Sequence, residues 1–268
     1  IPLLKQWYQR RVHGETAGIS DSNWSDLTLE CLTNIFSRLS LEDLWCRTML
    51  VCKSWHDASR DSSLFSAFDL EPYFVRRPPL RTAEFVAKVD AMLRSVVFWA
   101  AGFLTEIRVR HCTDRSLGLV AWRCSKLEIL SIKSSNVTDV TMAKIALGCP
   151  MLTELDVSRC TAISPVSLAS VGRNCRNLKT LKRNWENLLD WRQSGGDSEA
   201  AAIGKWMRSL KHLEIRYSSI TGFGLAAILK GCSELEELDL RGCYDCPLDT
   251  VKTEILAGDH PCPELILG

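Results

Sequence analysis

Leu152-Thr-Glu-Leu155-Asp-Val157-Ser-Arg-Cys160 and Leu235-Glu-Glu-Leu238-Asp-Leu240-Arg-Gly-Cys243 are two copies of one pattern, and that pattern decides the fold. Apolar residues hold its first, fourth and sixth positions and a cysteine its ninth. Further copies begin at Leu104, Leu127, Leu178 and Leu210, so the first leucines lie 23, 25, 26, 32 and 25 residues apart. A period of roughly 20–29 residues carrying one short strand and one short helix is that of a stacked solenoid.

The period follows from what one unit cannot do alone. A single strand and helix have no partner for their apolar faces, so each unit is stable only when stacked on neighbours. Alternation within the strand sends the fourth and sixth residues inward and leaves the fifth and seventh on the open face of a parallel sheet. A helix follows each strand. Ser164-Pro165 supplies a capping serine and a proline at the first helical position before Val166, Leu168, Ala169 and Val171, and Thr138 and Thr221 open helices in the same way. The expected fold is an α/β solenoid with a parallel sheet and about six repeats over residues 104–245.

The chain's 12 cysteines raise the question of a disulfide-stapled secreted protein. Register answers it for most of them. Cys112, Cys160 and Cys243 fall eight residues after the first leucine of their units, and Cys124, Cys149, Cys175 and Cys232 three residues before the next. Small, readily buried thiols suit the turns at these points, which reads as reduced core cysteine and a cytoplasmic and/or nuclear protein. No secretory signal and no apolar run long enough to cross a membrane is read from the sequence.

A formal net charge of +1 with 24% charged residues argues against general nucleic-acid affinity. The charge is uneven: residues 104–184 hold 13 Lys and Arg against 6 Asp and Glu (+7), and residues 207–268 hold 6 against 10 (−4). The solenoid is polarised along its length.

Ahead of the repeats, residues 1–23 read as a flexible lead-in. Residues 24–70 read as three short helices: Leu29, Leu32, Ile35, Phe36 and Leu39 form one stripe, Ser40 with Asp43 opens a second helix, and Val51, Trp55 and Ala58 form the face of a third. So small a unit leaves apolar surface for a partner to complete. Residues 71–103 read as a linker with one long amphipathic helix through Phe85, Val89, Leu93 and Val97, capping the first repeat; the weakly basic polar face disfavours a membrane-surface helix. Residues 246–268 read as the C-terminal cap.

Leu27, Glu30, Ile35, Leu39, Asp43-Leu44, Val51-Cys52, Trp55 and Leu64 stand at the spacing of an F-box, which residues 24–70 resemble. Thr28 stands where that family usually has proline, and it retains an oxygen able to cap the helix. An F-box followed by cysteine-bearing leucine-rich repeats is similar to the substrate receptors of Skp–cullin–F-box ubiquitin ligases, and Trp24-Ser-Asp-Leu27 resembles plant members. The resemblance implies a Skp-type adaptor held by Leu27, Leu29, Ile35, Leu39, Leu44, Val51 and Trp55, a cullin reached through it, and a protein substrate on the repeats. It implies no cofactor, membrane or nucleic acid and no bond-breaking by this chain. The competing reading is a repeat scaffold or inhibitor that binds a partner without ubiquitin transfer.

Constellations for catalysis are thin: there is no glycine-rich phosphate loop, paired-histidine helix or serine elbow. Cys243-Tyr-Asp-Cys246 has the spacing of a metal or redox pair with only Cys262 nearby, and His111 beside Cys112 is the one candidate nucleophile pairing. Two features suit partner recognition instead. The seventh position of successive units reads Arg110, Lys133, Ser158, Asn184, Arg216 and Arg241, a cationic row that acids on adjacent rows would balance. The long fourth unit carries Trp185 and Trp191, flanked by Lys182 and Arg183, in an insertion expected to face a substrate; Arg183 at a core position makes its strand the least regular.

Overall fold

The structure, a computed structural model, describes residues 27–76, 82–186, 195–246 and 263–267. Three short helices come first: α1 (Leu29–Phe36), α2 (Leu41–Cys46) and α3 (Lys53–Ala58). Thr28 caps α1 by accepting a hydrogen bond from the Cys31 amide, so the threonine does serve as the cap. Ser40 accepts from the Asp43 amide and donates to its carboxylate, closing the start of α2. Inside the unit lie Leu32, Phe36 and Leu44, with the Trp55 ring edge-on to Phe36 at 5.2 Å between centroids.

Eight parallel strands, one per unit, then form a single sheet in sequence order. They are β1 (Ala67–Asp69), β2 (Glu106–Arg108), β3 (Ile129–Ser131), β4 (Glu154–Asp156), β5 (Thr180–Lys182), β6 (His212–Glu214), β7 (Glu237–Asp239) and β8 (Glu264–Ile266). The fourth positions pair in a straight line: Ile107 with Leu130, then Leu155, Leu181, Leu213 and Leu238. All six are buried, as are the first leucines at 104, 127, 152, 178, 210 and 235.

The sheet begins one strand before the recognised leucine signature. Phe68 pairs with Ile107, which makes Phe65-Ser-Ala-Phe68-Asp-Leu70 a unit with aromatic residues at its first and fourth positions. Phe65 and Phe68 are fully buried. After it come α4 (Glu71–Arg76) and α5 (Ala83–Trp99), so the region between the small helices and the first leucine unit holds two helices rather than one. The six residues of α4 are too few to show a helical period. Trp99 of α5 meets Trp45 of α2 at 5.1 Å and Phe65 at 5.6 Å, which fastens the helical unit to the sheet through aromatic contact.

The remaining helices are α6 (Asp114–Arg123), α7 (Asp139–Gly148), α8 (Pro165–Asn174), α9 (Gly196–Trp206) and α10 (Gly222–Gly231), packed in order against one another. A carboxylate from one unit ties down the cap of the next: Asp90 accepts from the amide and hydroxyl of Thr113, Asp114 from those of Thr138, Asp139 from those of Ser164 and Asp197 from those of Thr221. Ser164 and Thr221 also cap their own helices, but the Thr138 side chain makes no such bond; its hydroxyl goes to Asp114 instead. In five of the six leucine units the turn after the strand passes through the left-handed region at the eighth position, with φ of 60° at His111, 54° at Ser134, 59° at Arg159, 52° at Tyr217 and 75° at Gly242; the fourth unit, with Trp185 there, does not.

The thiols lie where register placed them. Cys160 donates to the Ile132 carbonyl at 3.1 Å and Cys243 to that of Ile215 at 2.9 Å, each reaching back to the preceding unit. Cys124, Cys149, Cys175 and Cys232 are buried at the helix ends, and all the described cysteines are free thiols.

Candidate functional site

Two surfaces among the described residues coincide with the residues read from the sequence as binding ones. On the small helical unit, Leu29, Ile35, Leu39, Leu50 and Val51 are 39–69% exposed, an unusual concentration of bare aliphatic side chains on so few residues. The helical stripe read from the sequence therefore splits in two: Leu32 and Phe36 pack inward, while Leu29, Ile35 and Leu39 point to solvent. Of the other residues assigned to adaptor contact, Leu44 is core, and Leu27 and Trp55 are half-buried supports packed against it. Leu50, the most exposed of the set, gave no periodic signal because it sits in a single 3-10 turn, Thr48–Leu50.

The inner face of the sheet is the second surface. Its cationic row is matched by carboxylates of the same and neighbouring units. Arg110 donates to both oxygens of Glu71 at 2.9 and 2.6 Å, and Lys133 reaches Asp156 at 3.4 Å. Lys182 pairs with Glu214 at 3.1 Å, Arg216 with Asp239 at 2.7 Å and Arg241 with the same Asp239 at 2.6 Å. Asn184 completes the ladder, donating to Glu214 and accepting from the Arg216 amide. Its hydrogen bonds to the Glu71 carboxylate raise the pKa of the Arg110 guanidinium above the ordinary value. Burial pushes the Glu71 and Glu214 carboxyls up, but Arg110 and Lys133 beside Glu71, and the hydrogen bonds from Asn184 and Lys182 to Glu214, outweigh it and hold both below the ordinary carboxylate value. Glu71 was missed from sequence because its unit begins with phenylalanine. The row lines a groove of about 530 Å³ that continues to Arg159 and Tyr217.

The long fourth unit departs most from expectation. Its strand is as regular as its neighbours and pairs in register on both sides. Arg183 fills the sixth, inward position and is 1% exposed, so it cannot flank a substrate. Its guanidinium donates to Glu199 of α9 at 2.9 Å and to the carbonyls of Val157, Cys160 and Ile163 at 3.1 Å each. Trp185 is 3% exposed beside it, 4.8 Å from the guanidinium to the ring centre, and is a packed residue rather than a free anchor. Trp191 lies outside the described residues.

Among the described residues neither thiol pairing is arranged for chemistry, and Cys262 lies outside them. Cys112 is bonded to Ser135 at 3.2 Å and burial pushes its thiol well above the ordinary range, while His111 is buried with Nδ1 against the Ser134 carbonyl at 3.1 Å. Burial likewise pushes Cys243 up to about 11.

Comparison with known proteins accords with this geometry. The F-box domain family model matches residues 24–67 and a leucine-rich-repeat model matches residues 148–172. F-box protein SKIP1 of Arabidopsis thaliana is 50% identical over 241 residues, spanning 83% of this chain and 79% of the relative. Putative F-box/LRR-repeat protein 19 of the same plant is 49% identical over 249 residues, spanning 86% and 83%. Among solved structures, the crystal structure of the Rad7 and Elc1 complex in yeast aligns with 69% of this chain and 44% of that one, at a TM-score of 0.42 and 18% identity. An eight-stranded solenoid opened by a helical unit with a bare aliphatic face, and relatives alike over most of both lengths, make this chain a member of the F-box proteins with leucine-rich repeats.

Proposed function

We propose that this chain is the substrate-recognition subunit of a Skp–cullin–F-box ubiquitin ligase, holding a Skp-type adaptor with its F-box and a protein substrate with its repeats, in the cytoplasm or nucleus. The observation that carries the reading is the row Leu29, Ile35, Leu39, Leu50 and Val51, exposed above a complete core. Aliphatic side chains in water on a unit this small are stabilised by a covering partner, and an adaptor is the partner that membership of the family supplies. The chain's contribution is positional: anchoring a substrate beside a ubiquitin-charged enzyme converts a bimolecular encounter into a local one. The substrate's place in this reading is the charged inner face, where Arg110, Lys133, Lys182, Arg216 and Arg241 exchange their internal carboxylates for those of the partner.

Coexpression with a Skp-type adaptor tests the first half. Wild-type chain copurifies at one to one. Ile35→Asp with Val51→Asp loses the adaptor while keeping the wild-type melting temperature, because both side chains are exposed. Undiminished copurification of the double variant overturns the assignment.

A further inference from the structure

The edge of the solenoid where the helices end has a character that neither surface above explains. In-register strands keep equivalent positions of successive units adjacent. The residue five before each first leucine is therefore a row along this edge, reading Trp99, Trp122, Leu147, Arg173, Lys205 and Lys230. Trp122 is 79% and Leu147 70% exposed, and Phe98, Phe103 and Met151 stand exposed around them. Arg123 lies over the Phe98 and Trp122 rings and Lys126 over Phe103, and beyond Leu147 the row itself turns cationic.

Those cations differ from the ones on the inner face. Arg173 and Arg176 of one unit and Lys205 and Arg208 of the next line a groove of about 260 Å³, and no carboxylate lines it with them. None of the four makes an ion pair among the described residues, whereas each cation of the inner row has an acid within reach. The groove is built around Trp206, which laps onto the end of α8. A Cβ on Gly172 would lie 2.7 Å from the Cβ of Trp206, so glycine is required for the ring to sit there. Arg173 stands 4.5 Å and Lys205 5.1 Å from the ring centre. Cations in a last helical turn favour the helix dipole, which accounts for Arg173 and Lys205. Arg176 and Arg208 lie beyond their helices and gain nothing from it.

We infer that this edge is a second docking surface, for an acidic segment of a partner protein that carries apolar side chains beside its carboxylates. The carboxylates occupy the uncompensated groove between α8 and α9, and the apolar side chains cover Trp122 and Leu147. Charge complementarity decides the occupant: four cations without acids attract anions, and a contiguous apolar patch beside them rewards a segment that buries area as well. A nucleic acid would need a long track of unpaired cations, whereas the cations that line this one groove come from two units. The inference stands apart from adaptor binding, which the proposed function assigns to Leu29, Ile35, Leu39, Leu50 and Val51.

Selection of a displayed 12-residue peptide library on the full chain, purified with its adaptor, tests it. Peptides enriched in Asp and Glu with an aromatic or aliphatic residue are the expected result. Arg173→Glu with Arg208→Glu should weaken them at least tenfold by fluorescence anisotropy, Arg208→Gln severalfold and Trp122→Ser severalfold. Arg110→Glu on the inner face should leave them unchanged. Adaptor copurification and melting temperature of every variant are read separately and should match wild type. Selected peptides without acidic enrichment, or undiminished binding by both charge variants, overturn the inference. So does tighter capture of phosphatidylserine vesicles or of a single-stranded oligonucleotide through the same residues.

Discussion

Arg183 stands where five other leucine units have an aliphatic residue, and the fold accepts it because α9 brings Glu199 to the same point. Removing one partner leaves the other charge buried, which costs about 3–5 kcal/mol, more than the pair contributes net. Glu199→Ala should therefore lower stability by about that much in urea unfolding. Arg183→Leu combined with Glu199→Leu should recover a good part of the loss, short of wild type because the carbonyls of Val157, Cys160 and Ile163 lose their donor. Additive losses in the double variant would mean that the two residues act independently. The thiols make a second residue-scale case. Burial pushes Cys124 and Cys175 up to about 11, and Cys149 and Cys232 up to about 12, from an ordinary 9.0. A raised folded value adds stability that is complete below pH 9 and is lost as pH climbs toward 11 to 12. The urea midpoint should fall above pH 9, and Cys149→Ala with Cys232→Ala should flatten that fall; an unchanged slope would refute the linkage.

At the scale of an element, the helices stack by trading side chains for close approach. A Cβ on Gly148 would come 1.8 Å from the Ala121 carbonyl oxygen, so α7 lies on the end of α6 only while that position is bare. Helix propensity alone favours alanine there by up to about 1 kcal/mol. The clash should reverse the sign, and Gly148→Ala should cost about 1–3 kcal/mol by forcing neighbouring units apart. A gain in melting temperature would show that the two helices have slack. Asp139 illustrates the other device: burial pushes its carboxyl up, yet hydrogen bonds from Ser164 and Ser167 hold it below the ordinary value, so the stitch is at full strength above the acid range and weakens as pH falls through it.

At the scale of the whole molecule, the F-box and the solenoid are not two beads on a string. β1 belongs to the sheet although it follows directly from the helical unit, and Leu70 donates its amide to the Arg108 carbonyl. Trp99 sits between Trp45 and Phe65 and transmits the position of one part to the other. A chain shortened to begin at residue 61 keeps β1, and one that begins at residue 72 loses it and bares the edge of β2. The shorter chain should melt several degrees lower and self-associate by light scattering, since an uncovered strand edge pairs with copies of itself. Equal behaviour of the two would make β1 dispensable.

The solenoid was legible in the amino-acid order because its signal is local and repeated: Leu152, Leu155 and Val157 alternate inward within one strand, and any unit so patterned must stack. Cys160 and Cys243 were placed by the same register, and the F-box by spacing within some 45 residues. What packs opposite each residue was decided only by the tertiary structure. Phe65 and Phe68 were recognisable as a repeat once β1 was seen beside β2, and Glu71 as the partner of Arg110 once both lay on one face. Leu32 and Leu29 share one helix and one residue type, yet one is buried and the other bare, because the neighbours of α1 cover only one side of it. Arg183 and Trp185 read as surface recognition residues from their chemistry, and burial overruled that chemistry through Glu199, a residue 16 positions away that brings a matching charge. Local alternation is written in the order of residues, whereas burial of a charge depends on a partner supplied from elsewhere in the chain.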